Sequence, residues 1–239
     1  MHSFGPDALT PLKLEVIVSS VEDAVEAARG GAHRLEVVRD LHRDGLTPPL
    51  DLVRRIQREV PLPLRVMVRE SDGFACGSEE ERRGLVDQAN AFDALNVDGI
   101  VIGWTRGDRI DEETVARVLR AAPSLRATFH HAFDALPDPE AALGALARHP
   151  QIDRVLTRGG AGDWPSRCAT LTRCVRWAAP AITVLPGGGV DSGALRALVS
   201  CGSLLEAHVG RAAREGHTVD GRVSAGSVRE LRRAAGWSD

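Results

Sequence analysis

Apolar residues recur at every second position in a series of short segments along this chain. Each segment is followed by a stretch in which they recur at intervals of three and four. In residues 12–18, Leu14 and Val16 alternate with Lys13, Glu15 and Ile17, which predicts a strand. Ser20 then stands where a helix would be capped, and Gly30-Gly31 where it would stop after Arg29. The same alternation predicts strands over residues 34–38, 64–68, 99–103, 125–130, 152–156, 181–185 and 204–208. Between them lie predicted helices over Leu50–Glu59, after the capping box Ser78-Glu-Glu-Glu81, over Glu112–Ala121, after Leu136-Pro-Asp-Pro139 and from Trp164-Pro165. Two more are predicted, over residues 191–200 and 227–235. Eight βα units at this spacing predict an α/β protein, a single-domain (β/α)₈ TIM barrel over residues 1–239. Strand one would begin near 12 and the last helix would end near 235. An open dinucleotide-binding sheet is disfavoured, because Ser19-Ser20 follow strand one where a Gly-rich turn would be needed.

In such a barrel the strand face opposite the helices points inward, and its last residues reach the C-terminal mouth, where barrel enzymes keep their chemistry. The period of two places Glu15, Glu36, Arg34, Arg65, Met67 and Arg69 on that face in strands one to three. Strand five adds Thr128 and His130, strand six Val155 and Thr157, and strand eight Glu206, His208 and Gly210. Barrel interiors are ordinarily filled by Val, Ile and Leu, and buried charges must be paired or solvated. Glu15, Glu36, Arg69, His130 and His208, with Asp134 just beyond strand five, are therefore the candidate catalytic set. Glu36 or Glu15 would serve as general base, His130 or His208 as acid, and Arg69 would hold charge. For any one Glu–Arg pair taken alone, a structural ion pair is the competing reading.

A second signal lies after strands seven and eight, in Pro186-Gly-Gly-Gly-Val190 and His208-Val-Gly-Arg-Ala212. Loops at these positions often cradle phosphate through backbone N–H groups. Gly187, Gly188, Gly189, Gly210 and Arg211 are the candidate phosphate-binding residues, with the helix from Asp191 adding its positive end. Against this, three glycines can simply make a tight turn, and Asp191 can cap the helix itself. His131 is expected to point toward the helix layer. His42, His149 and His217 are expected in solvated loops, and Cys168, Cys174 and Cys201 as small core residues.

Composition narrows the partners. With 43% hydrophobic and 26% charged residues and a net charge of -3, the chain has no electrostatic footprint for nucleic acid or an anionic membrane. Its four cysteines form no CxxC pair, no signal peptide is apparent before strand one, and no apolar run approaches a membrane span. These features predict a cytoplasmic, reduced protein whose partner is a small anionic ligand or a metal ion.

Six phrases in chain order resemble the CutC family. They are Gly-Gly-Ala-His-Arg-Leu-Glu36, Asp44-Gly-Leu-Thr-Pro48, Thr128-Phe-His-His-Ala-Phe-Asp134, Arg154-Val-Leu-Thr157, Pro186-Gly-Gly-Gly-Val190 and Leu205-Glu-Ala-His208. The resemblance implies a cytoplasmic (β/α)₈ barrel, a homo-oligomer, named for a part in copper homeostasis and copper binding, with no enzymatic reaction attached. Some members carry two inward cysteines, proposed as Cu(I) ligands, at positions that read Ile17 and Val38 here. The family's Arg-Pro-Arg-Gly-Gly reads Arg69-Glu-Ser-Asp-Gly73, and its Phe-His-Arg reads Phe129-His-His131. Cu(I) favours soft sulfur ligands, and Met67 is the one inward candidate left, with Cys76 nearby in a loop. Weak or no Cu(I) binding inside the barrel is therefore expected. Copper enters through the resemblance alone. The residues name no cofactor, and a divalent metal among Glu15, Glu36, His130 and His208 stays open.

Overall fold

The structure, a computed structural model, describes residues 10–238. The expectation about a signal peptide concerns residues 1–9, which lie outside the described residues. Eight parallel strands form the barrel: β1 (Lys13–Val18), β2 (Arg34–Val37), β3 (Leu64–Met67), β4 (Gly99–Ile102), β5 (Arg126–Phe129), β6 (Ile152–Thr157), β7 (Thr183–Pro186) and β8 (Glu206–Val209). They are hydrogen-bonded in the order β8-β1-β2-β3-β4-β5-β6-β7. The remaining seam, between β7 and β8, brings the two strands together without a ladder, so the barrel is nearly closed.

Helices follow each strand: α1 (Val21–Arg29), α2 (Leu50–Glu59), α3 (Glu79–Ala94), α4 (Glu112–Ala121), α5 (Pro139–Leu146), α6 (Trp164–Ala178), α7 (Ser192–Ser200) and α8 (Ala225–Ala234). Six of them start at a residue whose side chain accepts a backbone N–H three positions on: Ser20, Ser78, Asp111, Asp138, Asp163 and Asp191. Each such cap is worth about 1 kcal/mol, which explains why the chain turns from strand to helix at these points. Half of the predicted capping box forms, with Ser78 Oγ accepting the Glu81 N–H at 3.0 Å, while the Glu81 carboxylate accepts the N–H of Gly77, one residue before the cap, at 2.7 Å. None of the helices among the described residues is long and apolar enough to cross a membrane.

The main core lies between strands and helices. Leu14, Val16 and Val18 of β1, Leu35 and Val37 of β2, and Ile100 and Ile102 of β4 all belong to it. The alternate residues of these strands face the barrel axis, so the predicted faces of strands one, two, three, five and eight stand. Strand six is a correction. Val155 packs in the helix-side core, and Arg154 reaches Glu206 across the barrel. The ladder from β5 to β6 skips a residue, running Ala127↔Ile152 and then Thr128↔Arg154. One extra residue in a strand reverses which side chains face inward.

Sulfur chemistry departs from expectation too. Cys174 is a buried core residue, but Cys168 on α6 and Cys201 just past α7 form a disulfide with their Cα atoms 6.1 Å apart. Cys76 and Cys174 are the free thiols among the described residues.

Candidate active site at the barrel mouth

The floor of the barrel is a chain of ion pairs. Arg65, almost wholly buried, bridges Asp98 at 2.6 Å and Asp153 at 2.9 Å. Arg154 joins Asp153 to Glu206, Arg34 joins Glu206 at 2.6 Å to Glu15, and His208 Nδ1 meets Glu15 at 2.8 Å. Strand alternation puts Glu15, Arg34, Glu36, Arg65, Glu206 and His208 on one side, and the skipped residue in β6 brings Asp153 and Arg154 to them together. Register sets their heights, with Glu15 beside both Arg34 and His208.

The last member is Glu36, 3.5 Å from His208 Nε2. The two glutamates have opposite electrostatics. Burial works to raise the Glu15 carboxyl, but Arg34 and the His208 hydrogen bond overcome it and hold Glu15 well below the carboxylate range. Glu36 has no arginine bonded to it, so burial, helped by the Glu15 charge and opposed by His208, pushes it up to about 7. Burial would lower His208, yet its position between Glu36 and Glu15 leaves it raised. Glu36 and His208 are thus a buried acid–base pair, both raised from their ordinary values.

Above the floor, the mouth divides. On the β1–β4 side, Ile17, Val38, Met67 and Val101 pack together with Leu41 against them. Ile17 and Val38, the positions compared above with thiols, are members of this apolar plug. On the β7–β8 side lies a cavity of about 590 Å³, lined in part by Ile17, His131, Arg158, Gly188, His208 and Arg211. Of the five convergent candidates, His208 alone lines it. Glu15 and Glu36 lie buried behind it.

Arg69 and His130 take other roles. The Arg69 guanidinium donates to the carbonyls of Arg43 at 2.8 Å, Gly45 at 3.0 Å and Gly73 at 3.4 Å, clamping the loops after β2 and β3. It does not line the cavity, and its hydrogen bonds go to backbone carbonyls. His130 accepts the Ala132 N–H at Nδ1, which puts its own proton on Nε2, a buried atom without a partner. Burial and the nearby Arg69 push His130 down to about 3, so it stays neutral and cannot be the acid at neutral pH. Thr128 Oγ1, two residues earlier on the same face, is unpartnered as well. Glycine is required opposite this ring, because a β-carbon at Gly103 would lie 2.5 Å from His130.

The glycine loops split similarly. Gly187 donates its N–H to the Thr157 carbonyl at 2.9 Å and is absent from the cavity wall, so it leaves the phosphate-binding set. Arg167 accounts for the Gly187 and Gly188 carbonyls at 2.9 and 3.1 Å, turning that side of the loop away. Gly188, Gly189, Val190, Gly210 and Arg211 all line the cavity, and their N–H groups make no hydrogen bond among the described residues. Gly188 and Gly189 have φ of 73° and 83°, a backbone turn that side chains rarely tolerate and that points successive N–H groups into one concavity. Asp191 does cap α7, accepting the Ala194 N–H at 2.8 Å, so that helix end is already occupied. The side chains of Arg158 and Arg211 have no acidic partner among the described residues.

Sequence reasoning missed three histidines. His131 lines the cavity instead of facing the helices, and its Nδ1 meets Asp134 at 2.8 Å. His42 and His217 are exposed, as expected, but they line the cavity as well, His42 paired with Asp220 at 2.7 Å. His149 is not fully solvated, since its Nε2 is buried without a partner. Asp134 stands behind the cavity wall, accepting from Thr157 at 2.5 Å and from the Arg158 N–H. The spacing of His131 and Asp134, three apart at the start of a short 3₁₀ turn, was the available signal.

The family model for the CutC family matches residues 12–213, most of the chain and all eight strands. The chain belongs to the CutC family. A human protein named copper homeostasis protein cutC homolog is 33% identical over 82% of this chain and 71% of its own length. A protein of Agrobacterium fabrum named family protein CutC is 33% identical over 93% of both chains. The crystal structure of a copper homeostasis protein CutC from Streptococcus agalactiae superposes with a TM-score of 0.75 at 22% identity, over 84% of this chain and 98% of that one, which supports the barrel fold.

Proposed function

We propose that the mouth of this CutC-family barrel binds a small anionic, phosphorylated metabolite. The observation that carries this reading is the set of unpartnered N–H groups on Gly188, Gly189, Val190, Gly210 and Arg211, around one cavity with two unpaired arginines. Backbone donors and guanidinium groups of this kind suit phosphate oxygens. Beneath them, Glu36 and His208 could pass a proton to or from such a ligand, which is the enzymatic form of the reading.

The relatives' names bring copper homeostasis to this chain as a cellular role. The donors inside the barrel do not fit Cu(I): Ile17 and Val38 are hydrocarbon and Met67 stands alone as a soft ligand. A divalent ion fits poorly too, because both His208 nitrogens already face glutamates. No group of three potential ligands occurs among the described residues. A cytoplasmic, self-associating protein completes the reading. Cell fractionation and light scattering test those two points.

The direct experiment is a thermal-shift titration with inorganic phosphate and sugar phosphates. At ten times Kd the stabilisation is about 1.4 kcal/mol, or roughly 3–5 °C. Arg211→Glu should remove the shift and keep the fold, since that side chain is exposed and lines the cavity, where the new charge opposes the anion. An unchanged melting temperature at millimolar ligand would mean that the glycines only make a turn.

A further inference from the structure

We propose that His131 and Asp134 select among anions in this cavity, favouring a phosphate ester with a free hydroxyl, whose hydrogen bond His131 Nε2 accepts. The inference rests on the anion-binding reading and names the class of ligand. Asp134 receives donors only: the Thr157 hydroxyl at 2.5 Å, the Arg158 N–H at 3.1 Å and His131 Nδ1 at 2.8 Å. Burial works to raise the Asp134 carboxyl, but these hydrogen bonds outweigh it and hold the group below its ordinary value. It is therefore a fixed anion, and an anion beside Nδ1 keeps the proton of a neutral imidazole on that nitrogen. In that tautomer Nε2 carries the lone pair.

The His131 ring lines the cavity next to the loop of residues 187–189. A β-carbon placed on Gly187 would lie 3.5 Å from both Cε1 and Nε2 of His131, and Nε2 has no hydrogen-bond partner among the described residues. A bare lone pair repels phosphate oxygens, so His131 in this tautomer calls for a donor elsewhere on the ligand. An ammonium group would meet the unpaired Arg158 and Arg211 across the same cavity, an objection that the lining carboxylates Asp44 and Asp191 reduce, Asp191 being engaged as the α7 cap. A hydroxyl meets neither objection. Together, backbone N–H groups for the phosphate and one acceptor for a hydroxyl describe a polyol or sugar phosphate.

The test is calorimetric titration of wild type, His131→Phe and Asp134→Asn with inorganic phosphate and with glycerol 3-phosphate. Phenylalanine keeps the ring and removes both nitrogens. Wild type should prefer glycerol 3-phosphate, and His131→Phe should lose roughly five- to tenfold for that ligand alone, the loss expected for one hydrogen bond. Long-range ¹H–¹⁵N spectra of histidine-labelled protein should show the His131 proton on Nδ1 in wild type, with that preference weakened in Asp134→Asn. Equal weakening of both ligands by His131→Phe would make His131 a merely structural residue and overturn the proposal. So would a proton found on Nε2 in wild type. If wild type binds neither ligand, the anion-binding reading itself falls, and this proposal with it. If both bind equally well to wild type and His131→Phe, this proposal alone falls.

Discussion

The two ends of this barrel handle polar groups in opposite ways. At the floor, each charged group meets its complement: Arg65 has two aspartates, Arg34 two glutamates, and Arg154 an aspartate and a glutamate. At the mouth, Arg158 and Arg211 have no carboxylate, five backbone N–H groups have no acceptor, and His131 offers an unused nitrogen. Both ends are rich in arginine, so composition cannot separate them. Satisfaction can: a saturated network is architecture, and unsatisfied donors around a cavity are capacity for a ligand. Glu36 lies at the boundary, buried like the floor and without an arginine of its own, which is why its carboxyl rises to about 7.

The strongest way to break this contrast is to cut the floor. Arg34→Leu leaves Glu15 with His208 and Glu206 with Arg154, and removes the link between them. Breaking a buried pair in this manner costs about 3–5 kcal/mol. Arg211→Leu at the mouth removes an exposed side chain without a partner and should change stability by less than ~0.5 kcal/mol. Urea denaturation of the two variants measures both. Comparable losses would mean that the mouth arginines are structural and that the contrast is false.

A moderate effect is expected from pH, and it separates the two buried groups by sign. His130 is depressed to about 3. Below pH 6.5 the unfolded chain therefore takes up a proton that the folded chain refuses, and stability falls as pH drops from 6.5 toward 3. Glu36 is raised to about 7. Between its ordinary value of 4.5 and 7 the folded chain keeps a proton that the unfolded chain has lost, so its contribution is lost as pH rises through 7. Each slope can reach about 1.4 kcal/mol per pH unit. His130→Gln should flatten the acid side of the stability profile, and Glu36→Gln the side between 4.5 and 7. A His130→Gln profile that overlies wild type below pH 6 would show that the His130 ring titrates in the fold like an exposed one.

What could be read from the sequence follows the same division. Glu15, Arg34, Glu36, Arg65, Glu206 and His208 were assigned to the interior correctly, because a strand's period of two carries a charge to a definite face. Val155 and Thr157 were misplaced because the ladder skips a residue between β5 and β6, which no local pattern reveals. Convergence on one cavity was over-read: side-chain direction does not disclose that the Ile17–Val38–Met67–Val101 plug separates the halves of the mouth. His131 was missed because it follows the strand, where alternation no longer applies and the spacing to Asp134 is that of a turn. Its pairing depends on Asp134 being held by Thr157 from the next strand, a tertiary fact.

The smallest expected effect is that of copper. Cu(I) is held most tightly where soft ligands lie close together, and thiolates and thioethers are the softest that proteins offer. Inside the barrel, Met67 is surrounded by Ile17, Val38 and Val101, so it has no second sulfur. Cys174 is buried in the helix-side core, and its thiol is pushed up by that burial, which disfavours the thiolate a metal would need. Cys168 and Cys201 are joined to each other. Cys76 is the remaining thiol, half-buried in the loop before α3, and burial and Glu81 push it up as well. A single thiol of that kind makes a poor site. Competition with a chromophoric Cu(I) chelator, using ascorbate so that the disulfide stays intact, should therefore show no stoichiometric transfer to the protein, and Cys76→Ser should change nothing. Tight one-to-one binding that survives Cys76→Ser would place copper at ligands other than these thiols, and the apolar plug at the mouth would need another explanation.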